Sequence, residues 1–311
     1  MGEPFKPFQK TLPFLVYYTS RYRGICHGIL VSRTVVMTAA VCVINTISLV
    51  PDTRPINVVT GSMYRHPRRG IRVQITKIII PKMPLDLAKR AHLLQKSVAL
   101  MIMKRKVPDI LAENPLRSLE IDWKGEETLR LQEECLMPGW HFFYAGDRIY
   151  PVHKFLLQRN ARVQFLNIVK MHEWCDALAI KLQKSLSNIG FYGLLDKTSM
   201  ICTKDPDNSA QPCHGMYGSP LLCAGRGVGM LMAPDAQWTN CTGFSNIIHL
   251  FNSEFLSAFM QCVSKLFVVD TRVDWSAMKK AIYDEREEVY DYIPSMYDRV
   301  VDDPLSTSEE L

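Results

Sequence analysis

Two sets of side chains in this sequence have the types and spacing for chemistry. The first is a base and a hydroxyl in the segment PCHGMYGSPLLC, where Ser219 follows His214 by five residues. A hydroxyl becomes a nucleophile only when a base lies in hydrogen-bond reach and a third group orients that base. Nearness along a chain does not supply that geometry, so the two are not read as a catalytic pair, and Ser219 is read as a buried small residue. The remaining histidines, His27, His66, His92, His141, His153, His172 and His249, show no paired ligand spacing, so no metal site and no cofactor are expected.

The second set is nine cysteines: Cys26, Cys42, Cys135, Cys175, Cys202, Cys213, Cys223, Cys241 and Cys262. None stands in a C-x-x-C pair, the spacing a structural zinc site would use. Dispersed cysteines in this number fit an oxidising compartment, and an odd count leaves one over.

The chain has 311 residues, 47% hydrophobic and 22% charged, the proportions of a folded globular protein. Its net charge of +6 is unevenly placed. Residues 270–311 carry twelve Asp/Glu against five Lys/Arg, a formal −7, which leaves 32 basic and 19 acidic side chains, +13, in residues 1–269. A basic body with an acidic tail is read either as solvated surface or as two faces for partners. Tyr290, Tyr292 and Tyr297 lie among the tail's acids, a setting that suits sulfation or docking on a basic patch such as Arg65, Arg68, Arg69 and Arg72. The same patch suits a polyanion. No nucleic-acid partner is expected. Residues 34–51 carry no charged side chain, but Thr38, Asn45, Thr46 and Ser48 interrupt them, and they read as core rather than a membrane span. Residues 1–10 hold no apolar stretch, so no secretory leader is visible in the sequence.

The elements that must position these residues are mostly strands. Short β-branched runs recur between turn signals at Phe14–Tyr18, Gly28–Val31, Val35–Thr38, Ile56–Thr60, Ile71–Ile80, Val98–Met103, Arg162–Phe165 and Gly227–Met232. That pattern predicts an all-β sandwich or barrel. Ile247, Leu250, Phe251, Phe255 and Phe259 step by three and four, which predicts a helix with one apolar stripe. A weaker stripe runs through Trp275, Met278, Ile282, Arg286 and Val289, and residues 302–311 are expected to be loose.

Three segments, in order and separation, resemble the trypsin-like serine protease family. CHGILVSRTVVMTAAVC, residues 26–42, is similar to the family's cysteine, strand and Thr-Ala-Ala-His-Cys. Thr38, Ala39, Ala40 and Cys42 are in place, and Val41 stands where the histidine would be. KSVALMIMK, residues 96–104, resembles Asn-Asp-Ile-Ala-Leu-Leu-Lys-Leu. Ala99 and Leu100 hold the register, and Ser97 takes the aspartate's place. PCHGMYGSPLLC resembles Cys-Gln-Gly-Asp-Ser-Gly-Gly-Pro-Leu-Val-Cys through Gly215, Gly218, Pro220, Leu221 and Cys223, with Tyr217 at the nucleophile's position.

The resemblance covers residues 12–263 and implies two six-stranded antiparallel β-barrels, roughly residues 12–118 and 119–245, with a C-terminal α-helix at 246–262. An N-terminal segment, 1–11, and an acidic extension, 264–311, flank that domain. It implies disulfides Cys26–Cys42, Cys135–Cys223, Cys175–Cys202 and Cys213–Cys241, and leaves Cys262 over. Asn240-Cys241-Thr242 fits a glycosylation acceptor, though its middle residue is then held in a disulfide.

The resemblance also implies that the family's chemistry is lost. Val41 has no titratable atom, Ser97 has no charge to stabilise an imidazolium, and Tyr217 offers a phenol of pKa about 10. Met216 replaces the aspartate that pairs with a new N-terminal amine, and no Arg-Ile-Val-Gly-Gly precedes Leu12. Gln211 stands at the base of the specificity pocket and Met232-Ala233-Pro234 at its wall. Losing a whole triad costs on the order of 10⁶ in turnover. The expectation is a secreted, catalytically inactive serine protease homologue that binds a protein, such as an active protease or its substrate, and modulates proteolysis. Gln211, His214, Gly215, Met216 and Met232 then line the former cleft, and Met216, Tyr217, Met230 and Met232 either make it adaptable or fill it. Two rivals are an active serine-type endopeptidase or other hydrolase with a non-standard nucleophile, and a carrier of a small apolar ligand in that cleft.

Overall fold

The computed structural model describes residues 14–21, 24–45, 51–52, 54–60, 70–81, 98–107, 119–125, 134–139, 162–169, 199–204, 216–223, 226–233, 246–264 and 287–291. Their dominant element is the antiparallel strand. The first sheet contains β1 (Leu15–Ser20), β2 (Gly24–Ser32), β3 (Val35–Ala39), β4 (Asn57–Thr60), β5 (Ile71–Pro81) and β6 (Val98–Met103), in the order β5-β4-β1-β2-β3-β6. β6 also pairs with β5, Leu100 opposite Ile79, so the two ends of that sheet meet. β3 and β6 read VVMTA and VALMIM with every residue buried. Strands covered on both faces lose the polar alternation of a surface strand and become continuous apolar runs.

The second sheet is a closed antiparallel barrel in the order β10-β11-β12-β9-β8-β7. Its strands are β7 (Glu134–Gly139), β8 (Arg162–Val169), β9 (Met200–Lys204), β10 (Pro220–Cys223), β11 (Arg226–Ala233) and β12 (Asn246–Leu250). The all-β expectation of two antiparallel barrels therefore holds. Between the sheets, residues 119–125 touch both. Leu119 donates its N–H to the Leu30 carbonyl at 3.0 Å, and Ile121 bridges Gly227. Trp123 packs against Phe251 with ring centroids 5.9 Å apart.

The helix α1 spans Glu254–Ser264. Ser253 precedes it and Glu254 opens its first turn, a polar residue and then an acid where the unpaired N–H groups gather. Leu256, Phe259, Met260 and Val263 are buried at helical spacing and join the apolar cluster of the first barrel. The helix thus begins at Glu254 rather than at 246. Asn246–Leu250 is instead hydrogen-bonded as β12 between β11 and β9, where it closes the second barrel. The three-and-four spacing of Ile247, Leu250 and Phe251 belonged to a strand running into a turn.

The acidic extension contributes a strand. β13 (Glu287–Asp291) pairs antiparallel with β5, from Glu287 opposite Pro81 to Asp291 opposite Lys77. β4 pairs with β5 only over residues 71–74, so β13 takes the stretch beyond it. The weak helical stripe is therefore not helical at Val289; Trp275, Met278, Ile282 and Arg286 lie outside the described residues. No helix among the described residues is long and apolar enough to cross a membrane.

Candidate functional site

β3 ends at Ala39, and the chain turns through a short 3-10 helix, Ala40–Cys42. Val43 and Ile44 both donate their N–H groups to the Ala40 carbonyl at 3.1 Å, which holds the turn tight. The Cys26–Cys42 disulfide ties it to β2, and the Ser20 hydroxyl donates to the Cys42 carbonyl. Val41, at the centre of this turn, is only 2% exposed and belongs to the first barrel's apolar cluster.

The second segment, residues 216–219, crosses from the second barrel to the first. Gly218 has φ +81°, a left-handed backbone that a side chain resists. A Cβ there would stand 2.1 Å from the His27 carbonyl oxygen and 2.9 Å from Thr38 Oγ1. Three backbone hydrogen bonds surround it. His27 N–H donates to the Tyr217 carbonyl at 2.7 Å, Gly218 N–H to Leu231 at 2.8 Å and Ser219 N–H to Met216 at 2.9 Å. These bonds anchor the segment through its backbone.

Tyr217 is 8% exposed and packs into the same apolar cluster as Val41. Met216 is fully buried in the second barrel's core. Its sulfur fills the space beside Gly139, where an added Cβ would meet Sδ at 2.6 Å. Ser219 is also fully buried, with Oγ 3.7 Å from the Met216 sulfur. A hydroxyl facing a thioether gains no base, and no acyl donor reaches a group so enclosed.

A polar chain lies beneath the crossing. Thr38 Oγ1 donates to the His27 carbonyl at 2.6 Å and lies 2.8 Å from the Tyr18 hydroxyl. The threonine's single proton is committed to His27, so Tyr18 is the donor in the second bond. Burial, reinforced by the negative charge of Asp52, pushes the Tyr18 phenol far above its ordinary range. Asp52 is itself buried and accepts from the Arg21 N–H at 3.1 Å and pairs with the Arg54 guanidinium at 3.3 Å, so it serves the loop. Among the described residues no group of His, Cys, Asp and Glu is placed to hold a metal.

The structure thus buries all four of Val41, Met216, Tyr217 and Ser219, with Val41 and Tyr217 in the first barrel's apolar cluster and Ser219 against Met216 of the second's. β6 begins one residue after Ser97, with Val98 opposite Ala39, while Ser97 lies outside the described residues. Gln211, His214 and Gly215 also lie outside them, as do Arg65, Arg68, Arg69, Tyr292, Tyr297 and Asn240–Thr242. The backbone of Met232 is part of β11. Cys135–Cys223 is formed and Cys202 is disulfide-bonded. Cys175, Cys213 and Cys241 are outside the described residues, and Cys262 sits half-buried in α1. Sequence reading missed Tyr18 and the role of His27; the Thr38 that joins them was visible only as a motif letter.

No protein-family model and no curated protein sequence matches the chain. Solved structures do. The scabies mite inactivated protease paralogue S-D1 is similar at TM-score 0.57 and 16% identity, over 85% of this chain and 97% of that one. Neuropsin, a serine protease expressed in the limbic system of mouse brain, is similar at TM-score 0.54 and 15% identity, over 83% and 98%. Human heparin binding protein is similar at TM-score 0.55 and 18% identity, over 82% and 93%. Likeness at these identities shows the fold.

Proposed function

We propose, from the premise that the chain has the trypsin-like serine protease fold, that it binds and does not cut. The observation that carries this reading is the burial of Val41 and Tyr217 in one apolar cluster. These are the positions that the resemblance assigns to the catalytic base and nucleophile. Acyl transfer requires a base with an open lone pair and a nucleophile that a carbonyl carbon can approach. An isopropyl group and an enclosed phenol offer neither. Met216 strengthens the reading, because a thioether packed on Gly139 takes the place of the carboxylate that an activated enzyme would use.

The working surface is then the rim of the former cleft, with a protein partner such as an active protease or its substrate. The disulfides favour an extracellular setting. Proteins of this fold include one described as inactivated and one named for binding heparin, so the fold accommodates loss of cleavage and a binding role. The hydrolase reading is disfavoured by the enclosure of Ser219. The small-ligand carrier is disfavoured because Met216, Tyr217 and Met230 are buried by protein contacts.

Fluorophosphonate labelling of the folded chain tests the reading. Less than a few per cent modification is expected; a stoichiometric adduct on any serine or tyrosine would overturn it.

A further inference from the structure

We infer that the first barrel carries a binding surface for a sulfated polysaccharide, built from Arg72, Lys104 and Arg105. This is independent of the reading of the cleft. Two basic stretches distant in sequence meet here. Arg72 is exposed on β5, and Lys104, Arg105 and Lys106 follow β6 as three consecutive exposed cations. The pairing of β5 with β6 brings the stretches together. Lys104 donates its backbone N–H to the Gln74 carbonyl at 2.8 Å, and Arg105 Nη2 donates to the Arg72 carbonyl at 3.1 Å. That bond holds the Arg105 guanidinium across β5 beside Arg72, leaving its other N–H groups for an anion.

Among the described residues, Arg72, Lys104 and Arg105 take part in no ion pair. The acids of β13 meet β5 elsewhere. Asp291 stands opposite Lys77, five residues along the strand from Arg72, about 17 Å at the rise of a strand. A cluster of like charges destabilises the free protein, and a polyanion relieves that repulsion.

The kind of polyanion follows from what surrounds the charges. Among the described residues the cations lie on β5 and just past the end of β6, and no helix stands beside them to enter a groove. Among the described residues, those next to the cations in sequence, Val73, Gln74 and Val107, carry no ring on which a base could stack. A linear polymer of closely spaced sulfates needs neither feature, only regular cations.

The test measures binding of the full chain to a heparin-derived oligosaccharide across salt concentrations, beside a single-stranded oligonucleotide of equal charge. The expected result is binding that weakens with salt and falls about tenfold or more in Lys104→Glu/Arg105→Glu. Arg72→Gln, milder and exposed, is expected to weaken it less, and Arg226→Gln on the second barrel not at all. No binding by the unaltered chain would overturn the inference. So would equal loss in Arg226→Gln, or no loss in the surface variants with thermal unfolding unchanged. Oligonucleotide binding as tight as the polysaccharide's would overturn the sulfated assignment in favour of general phosphate affinity.

Discussion

The His27 amide donates to the Tyr217 carbonyl at 2.7 Å, a backbone bond that ties to β2 the segment where the proposed reading places the lost nucleophile. Because the bond does not involve the side chain, the proposed replacement of a reactive group by a packing group at 217 leaves this bond in place. Tyr217 then joins Val41 in the first barrel's core. On the proposed reading, the scaffold of a cleavage site is kept while its chemistry is lost.

Gly218 is the most constrained point of that crossing. Gly218→Ala is expected to cost about 1–3 kcal/mol for the left-handed backbone alone, with more from the contact at the His27 carbonyl. Urea denaturation at neutral pH measures it.

Replacing the phenol at 217 tests whether it is core. Tyr217→Ser is expected to destabilise by roughly 3–5 kcal/mol, the range for removing a large buried ring. It should bring no peptidase activity, since Val41 supplies no base. A neutral effect on stability would show that the ring is not packed.

Tyr18 makes stability depend on alkaline pH. Its folded pKa is raised above the unfolded value of about 10, chiefly by burial. Below pH 10 both states keep the proton and the contribution is constant. Above it, the unfolded chain releases the proton and the folded chain retains it, so stability falls by up to about 1.4 kcal/mol per pH unit. Tyr18→Phe is expected to lose that share of the fall and, at pH 7, about 1 kcal/mol for the bond to Thr38. Unfolding curves from pH 8 to 11 compare the two.

The two described disulfides close loops of different size, with sequence separations of 16 and 88. Chain entropy assigns about 3 kcal/mol to the first and about 4.5 kcal/mol to the second. Cys135→Ser/Cys223→Ser is therefore expected to lower the denaturation midpoint further than Cys26→Ser/Cys42→Ser.

Much of the fold was legible because its strands carry their own signal. β3, β5 and β6 are β-branched runs between turn residues, and all three were found by pattern. β10 was not, because PLLC is four residues, all buried, with no alternation to detect. β12 was mistaken for helix because Ile247, Leu250 and Phe251 happen to step by three and four; pairing with β9 and β11 decided otherwise. β13 had no local signal. Glu287, Glu288 and Asp291 disfavour a strand, and it forms where β4 leaves part of β5 uncovered. At the site, residue identities carried only the expectation that the family's chemistry is lost. Whether Tyr217 faced solvent or core was a question of packing, which spacing does not encode.

The most direct measurement is peptide turnover by the folded chain, with a diverse peptide mixture read by mass spectrometry beside a Ser219→Ala variant. The account predicts no cleavage above that variant's background at any pH between 5 and 9. Cleavage by the unaltered chain that vanishes in Ser219→Ala would contradict it.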